Sequence, residues 1–221
     1  MFRKGDYMDY FDYSTNDLYV ENETEIYSEE LSSSAINFHN ITHDDMLNGD
    51  GLRVVLWVSG CEHHCKDCQN LCTWNPDDGI PLTAWEESEF WNWLDKPWTQ
   101  GATFSGGDPL HPANRSYIAS MMKRVKERYG DKKDIWCYTG YVLQHNEAEG
   151  FYLENSITGE SFDFPGLQYI DVLVDGRFDC NVRNADIISK RKVLWRGSSN
   201  QRLVDIQASL RENRIILRKE S

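Results

Sequence analysis

The chain has 221 residues, 40% of them hydrophobic and with eight tryptophans and eleven tyrosines, enough for one domain with a substantial core. A net charge of -13 argues against a nucleic-acid partner, and the text shows neither a spanning apolar run nor a basic-then-apolar start, so a cytoplasmic protein without a membrane segment is expected. Four of the six cysteines fall between Cys61 and Cys72, a clustering that signals metal or redox chemistry rather than a disulfide framework; Cys137 and Cys180 are expected to be core thiols.

Residues 1–35 hold nine acids, two bases and five tyrosines, with no sustained period of 3.6 or 2. They read as an acidic, flexible N-terminal extension ending at Ser32-Ser33-Ser34, ahead of a domain over 36–221. Asn48-Gly49-Asp50-Gly51 reads as a turn before a buried strand, Val54 to Val58, which Gly60 ends. Cys61, Cys65 and Cys68 follow directly. That spacing can turn three sulfurs towards one centre, and iron-sulfur clusters are held by thiolates, usually four; a set of three leaves one iron for another ligand. Cys72, four residues on, keeps open a structural four-thiolate zinc or iron site. His63 and His64 read as solvent-facing or supporting groups rather than ligands.

Thr83 with Glu86 forms a capping box, Phe90, Trp93 and Leu94 give the following helix a core face, and Pro97 closes it. Ala102 to Phe104 is a short strand leading into Ser105-Gly106-Gly107-Asp108-Pro109-Leu110. There two glycines allow close backbone approach to a ligand, and Asp108 offers a carboxylate to an ammonium group. Asn114 to Tyr129 is an amphipathic helix with Tyr117, Ile118, Met121, Met122, Val125 and Tyr129 on one face. A strand and turn span Asp134 to Tyr141. Residues 146–166 read as a hairpin insertion where a crossover helix is expected. Tyr169 to Val174 is a further strand delivering Asp175-Gly176-Arg177, either a plain turn or polar groups presented at the strand's carboxyl end.

The Cys-x3-Cys-x2-Cys loop after a first strand resembles the signature of the radical S-adenosylmethionine (SAM) enzymes. The Gly-Gly-acid-Pro turn after the second strand resembles the place where they hold the methionine of SAM. Asn48 to Gly51, Asn70, Thr73-Trp74-Asn75, Tyr138-Thr139-Gly140-Tyr141 and above all Val193 to Arg202 are similar to the activating proteins of anaerobic ribonucleotide reductase. The resemblance covers residues 36–221 apart from the 146–166 hairpin.

It implies an α/β fold, an incomplete TIM-type barrel of parallel strands with outer helices. It implies one [4Fe-4S] cluster on Cys61, Cys65 and Cys68, SAM on the fourth iron, and Ser105, Gly106, Gly107, Asp108 and Asp175 as cofactor-binding residues. No separate general acid or base is implied. The implied activity is reductive cleavage of SAM to a 5′-deoxyadenosyl radical, which makes a glycyl radical on the large subunit of the reductase, with a flavodoxin or ferredoxin as electron donor. The alternatives are an activase of another glycyl-radical enzyme such as pyruvate formate-lyase, or a non-catalytic metal-binding module completed by Cys72. Asp67 stands where reductase activators tend to have Gly, and Gln69 where they tend to have Tyr, which leaves the adenine without assigned contacts.

Overall fold

The computed structural model describes residues 36–183 and 195–219. The expected N-terminal extension and Val193-Leu194 therefore lie outside the described residues. Val54, Val55, Leu56 and Val58 have no exposed surface, as a strand covered on both faces requires. They belong to β2 (Leu52–Val58), which follows β1 (Asn37–Asp45). The chain continues through β3 (Ile80–Pro81), α1 (Ala84–Leu94), β4 (Thr99–Gly106), α2 (Arg115–Tyr129) and β5 (Asp134–Tyr138). Then come β6 (Val142–Asn146), β7 (Gly150–Glu154), β8 (Ser161–Phe162), β9 (Val172–Asp175), β10 (Arg202–Asp205) and α3 (Ile206–Glu212).

The main sheet has seven strands in the order β10-β9-β5-β4-β2-β1-β3. Its centre is parallel: β2 pairs with β4, β4 with β5 and β5 with β9. Both margins are antiparallel, through β1 and β3 on one side and β10 on the other. The architecture is thus mixed α/β with a mostly parallel central sheet and few helices, rather than parallel throughout as expected. Helices α1 and α2 make the two crossovers that successive parallel strands need. From β5 to β9 the connection instead carries a separate antiparallel sheet, β6-β7-β8. No helix among the described residues is long and apolar enough to cross a membrane.

The local signals work as their chemistry demands. Thr83 caps α1 reciprocally with Glu86, while Phe90 and Leu94 are fully buried. Tyr117, Ile118, Met121, Met122 and Val125 place α2 on the core. Strand β1 carries no clean alternation because it is bulged: its pairing with β2 shifts register between Phe38 and Asn40 and again between Thr42 and Asp45. The expected strand from Tyr169 begins only at Val172, since Tyr169 and Ile170 donate to Gly166 and Leu167 in a tight turn after Pro165.

The Asn48–Gly51 turn lies at the amino end of β2, away from the cysteines that follow the strand's carboxyl end. Its work is structural. Gly49 has φ +135, and a Cβ there would stand 2.7 Å from Arg53 Cδ. Arg53 is itself buried, paired with Asp134 at 2.6 Å and set against the Trp136 ring.

Candidate functional site

The four parallel strands end together, and three of them deliver segments singled out for chemistry while β5 delivers one noted for its resemblance. β2 runs into Gly60 and the cysteine loop, β4 into Gly106-Gly107-Asp108, β5 into Thr139-Gly140-Tyr141, and β9 into Gly176-Arg177. In open α/β sheets ligands are held beyond the carboxyl ends of the strands.

Backbone bonds close the cysteine loop on its neighbours. Gly60 N and Cys61 N donate to Thr73 O and Trp74 O at 2.7 and 2.9 Å, Gly107 N donates to Val58 O and Asp108 N to Gly60 O, both at 2.7 Å. The Asn70 side chain adds a 2.9 Å bond to Gly106 O. The two glycines are required by this approach of backbone to backbone. A Cβ on Gly107 would stand 2.5 Å from Gly60 O, and one on Gly106, at φ +109, 2.6 Å from Val58 N. Ser105 is buried in β4 opposite Trp57.

Asp108 has no exposed surface and its carboxylate is fully engaged. It accepts from Leu110 N at 2.8 Å, Gly140 N at 2.8 Å and Thr139 Oγ1 at 2.9 Å, and pairs with His63 Nε2 at 2.8 Å. Four donors match the roughly four lone-pair directions of a carboxylate. Asp108 is thus the knot that joins the ends of β2, β4 and β5. Asp175 is likewise committed: buried, it accepts from Leu143 N at 2.8 Å and from Arg202 Nε at 2.9 Å. These bonds bridge β6, β9 and β10, and Asp175 also lines a cavity beside the cysteine loop.

His63 is buried, with Tyr141 edge-on at 4.6 Å. It is a supporting group of the loop rather than a solvent-facing one. Tyr141 Oη and Asn155 Nδ2 both donate to Glu62 Oε1 at 2.8 Å, which fastens the loop to the second sheet. Asp67 has φ +57, a left-handed conformation that Gly adopts freely and Asp tolerates. Backbone geometry therefore accounts for that departure.

The three thiols share one environment. Burial, then the Asp108 charge, push the Cys61 thiol up to about 12, with Cys65 and Cys68 adding to the rise. Burial also raises the Cys65 thiol, opposed by the Arg177 guanidinium and the Phe178 N–H. Cys68 Sγ accepts from Asn70 N at 3.4 Å. Cys68 thus receives a backbone N–H, and the nearby N–H groups of His63 and Phe178 favour the thiolate forms of Cys61 and Cys65. Such donors suit thiolates holding an iron-sulfur cluster, where the iron charge supplies what burial withholds.

Cys72 is exposed on a short turn, Leu71–Thr73. Among the described residues no three His, Cys, Asp or Glu side chains are gathered around a single ion.

Beside the loop lies a cavity of about 550 Å³ lined by Lys66, Gly176, Arg177, Phe178, Cys180 and Asn200, among others. Cys180, expected in the core, is half-buried here. Sequence reasoning missed Lys66, Asn200 and the backbone roles of Phe178 and Asn70, because nothing in a lone Lys or Asn reports where a distant loop will pass.

Comparison with known proteins agrees with this geometry. The family described as 4Fe-4S single cluster domain matches residues 47–204. The anaerobic ribonucleoside-triphosphate reductase-activating protein of Enterobacteria phage T4 is 39% identical over 76% of this chain and 93% of its own length. Proteins of the same name from Pasteurella multocida and Escherichia coli K12 are each 36% identical over 75% of this chain, covering 95% and 96% of theirs. The chain belongs to the family of anaerobic ribonucleoside-triphosphate reductase-activating proteins.

Proposed function

We propose that this chain activates anaerobic ribonucleoside-triphosphate reductase as a radical SAM enzyme, by placing a glycyl radical on the reductase's large subunit. The observation that carries this reading is the meeting of the cysteine loop with the Gly106–Asp108, Thr139–Tyr141 and Gly176–Arg177 turns at one sheet edge, in a chain of this family. Cys61, Cys65 and Cys68 hold a [4Fe-4S] cluster, and Cys72 stays outside it. The mostly parallel sheet is read as an incomplete TIM-type barrel.

When bound, the cluster supplies one electron to the sulfonium of SAM, whose cleavage yields the 5′-deoxyadenosyl radical that takes a hydrogen from the partner's glycine. The chain's own residues have quieter work. Ser105, Gly106 and Gly107 present the turn against which methionine is oriented, and Asp108 keeps that turn, the cysteine loop and the β5 turn in register. The cavity beside Lys66 and Arg177 receives the cosubstrate and shields the reacting centre from water. The partner's glycine loop completes that shielding, which makes the reductase part of the site. A flavodoxin or ferredoxin delivers the electron, in the cytoplasm. Residues 1–35 are an extension to this domain of 36–221, with 146–166 as an insertion.

The test is anaerobic. The protein is reconstituted with iron and sulfide, reduced, and given SAM with and without the reductase. 5′-Deoxyadenosine, with a glycyl-type EPR doublet only when both proteins are present, is expected. Deoxyadenosine without that doublet would move the target to another glycyl-radical enzyme; neither product, in protein carrying its cluster, would overturn the reading.

A further inference from the structure

The turn after β9 brings a cation onto the cysteine loop. Arg177 Nη2 donates to the His63 carbonyl at 2.7 Å, midway between Cys61 and Cys65 in the chain. From there its charge favours the anionic form of Cys65, against the burial that disfavours it. Its position is built rather than incidental. Gly176 N donates to Tyr141 O at 2.8 Å, Gln201 Nε2 to Gly176 O at 2.9 Å, and Asn200 Nδ2 to Arg177 O at 2.8 Å.

What Arg177 lacks is a carboxylate. Its neighbour Asp175 is consumed by Arg202 and Leu143 N, and among the described residues no acid forms an ion pair with it. Its Nε is buried without a hydrogen-bond partner. The Cys65 thiol, on which the Arg177 charge acts, becomes an anion on binding iron. Cys61 instead faces the negative Asp108, and Arg183, which bonds the Asp67 carbonyl beside Cys68 at 3.1 Å, is exposed there.

We propose that Arg177 is a positioning residue that raises the reduction potential of the cluster through Cys65, rather than a group that binds SAM. The assignment rests on the three-cysteine cluster reading above. Reduction adds one negative charge to the cluster, and a cation fixed on the cysteine loop stabilises the reduced form more than the oxidised one. The same guanidinium holds the loop by the His63 carbonyl, so charge and geometry are set by one side chain.

The experiment is a redox titration of the reconstituted protein without SAM, followed by the EPR signal of the reduced cluster, in wild type, Arg177→Met and Arg177→Lys. Arg177→Met is expected to lower the equilibrium constant for one-electron reduction about tenfold, equivalent to about 59 mV, at unchanged iron and sulfide content. Arg177→Lys keeps the charge and is expected to recover most of the shift. Should Arg177→Met fail to hold the cluster, Arg177→Gln, which retains a donor for the His63 carbonyl, carries the same comparison. An unchanged potential in a loaded neutral variant would overturn the proposal, and weakened SAM binding at that unchanged potential would make Arg177 a cosubstrate ligand. A wild-type chain that yields no reduced-cluster signal would instead sink the cluster reading on which the assignment stands.

Discussion

Replacing Asp108 separates an organising carboxylate from one that binds a ligand. In Asp108→Ala the His63 ring and the Thr139 hydroxyl can turn to other partners, but the N–H groups of Leu110 and Gly140 are fixed by the backbone, the first buried and the second half-buried. An unsatisfied buried donor costs about 1–3 kcal/mol, so Leu110 N–H costs that much and the half-buried Gly140 N–H less, about 2–4 kcal/mol together, against a total stability of about 5–15 kcal/mol for a typical domain. Asp108→Asn can still accept from one of the two N–H groups, but its amide then sets a donor against the other, and about 1–3 kcal/mol is expected. The assay is urea unfolding of the cluster-free protein under anaerobic, reducing conditions, followed by tryptophan fluorescence. The midpoint should fall in the order wild type, Asn, Ala, with the slope unchanged. An Asp108→Ala protein as stable as wild type that has nonetheless lost SAM binding would refute the organising role and return the carboxylate to the ligand.

Cys61→Ala, Cys65→Ala and Cys68→Ala should each fail to retain a full complement of iron and sulfide, while Cys72→Ala, exposed in the structure, should retain it; equal loss at Cys72 would restore the four-thiolate site. The Cys61 thiol is raised from its ordinary 9.0 to about 12 by burial, so the folded, cluster-free chain holds a proton there that the unfolded chain gives up. Its contribution to stability is present below pH 9 and is lost as pH rises towards 12; the urea midpoint should fall over that window, and less steeply in Cys61→Ala. Gly140→Ala would set a Cβ 2.2 Å from His63 Cδ2, on a ring already held by Asp108 and Tyr141. A stability loss of about 1–3 kcal/mol is expected, with reduced iron loading, and normal loading would show that the loop yields without harm.

Much of this protein follows from its chain alone. The unbroken apolar run of β2, the 3.6 period from Tyr117 to Val125 and the Thr83–Glu86 box are local statements, decided by neighbours a few residues apart. The cysteine spacing is of the same kind, because three sulfurs in eight residues are constrained by the chain that joins them. Strand β1 was not legible, since its bulges break the alternation that would have announced it. Nor were the duties of Asp108 and Asp175 legible, although their positions after β4 and at the end of β9 were. A carboxylate's role depends on which donors arrive around it, and those donors, His63, Thr139 and Gly140 for one and Leu143 and Arg202 for the other, lie 27 to 45 residues away. Sequence decides which groups are offered at the sheet edge; only the packing of four strand ends decides which of them are consumed there and which, like Arg177 against Cys65, are left facing the chemistry.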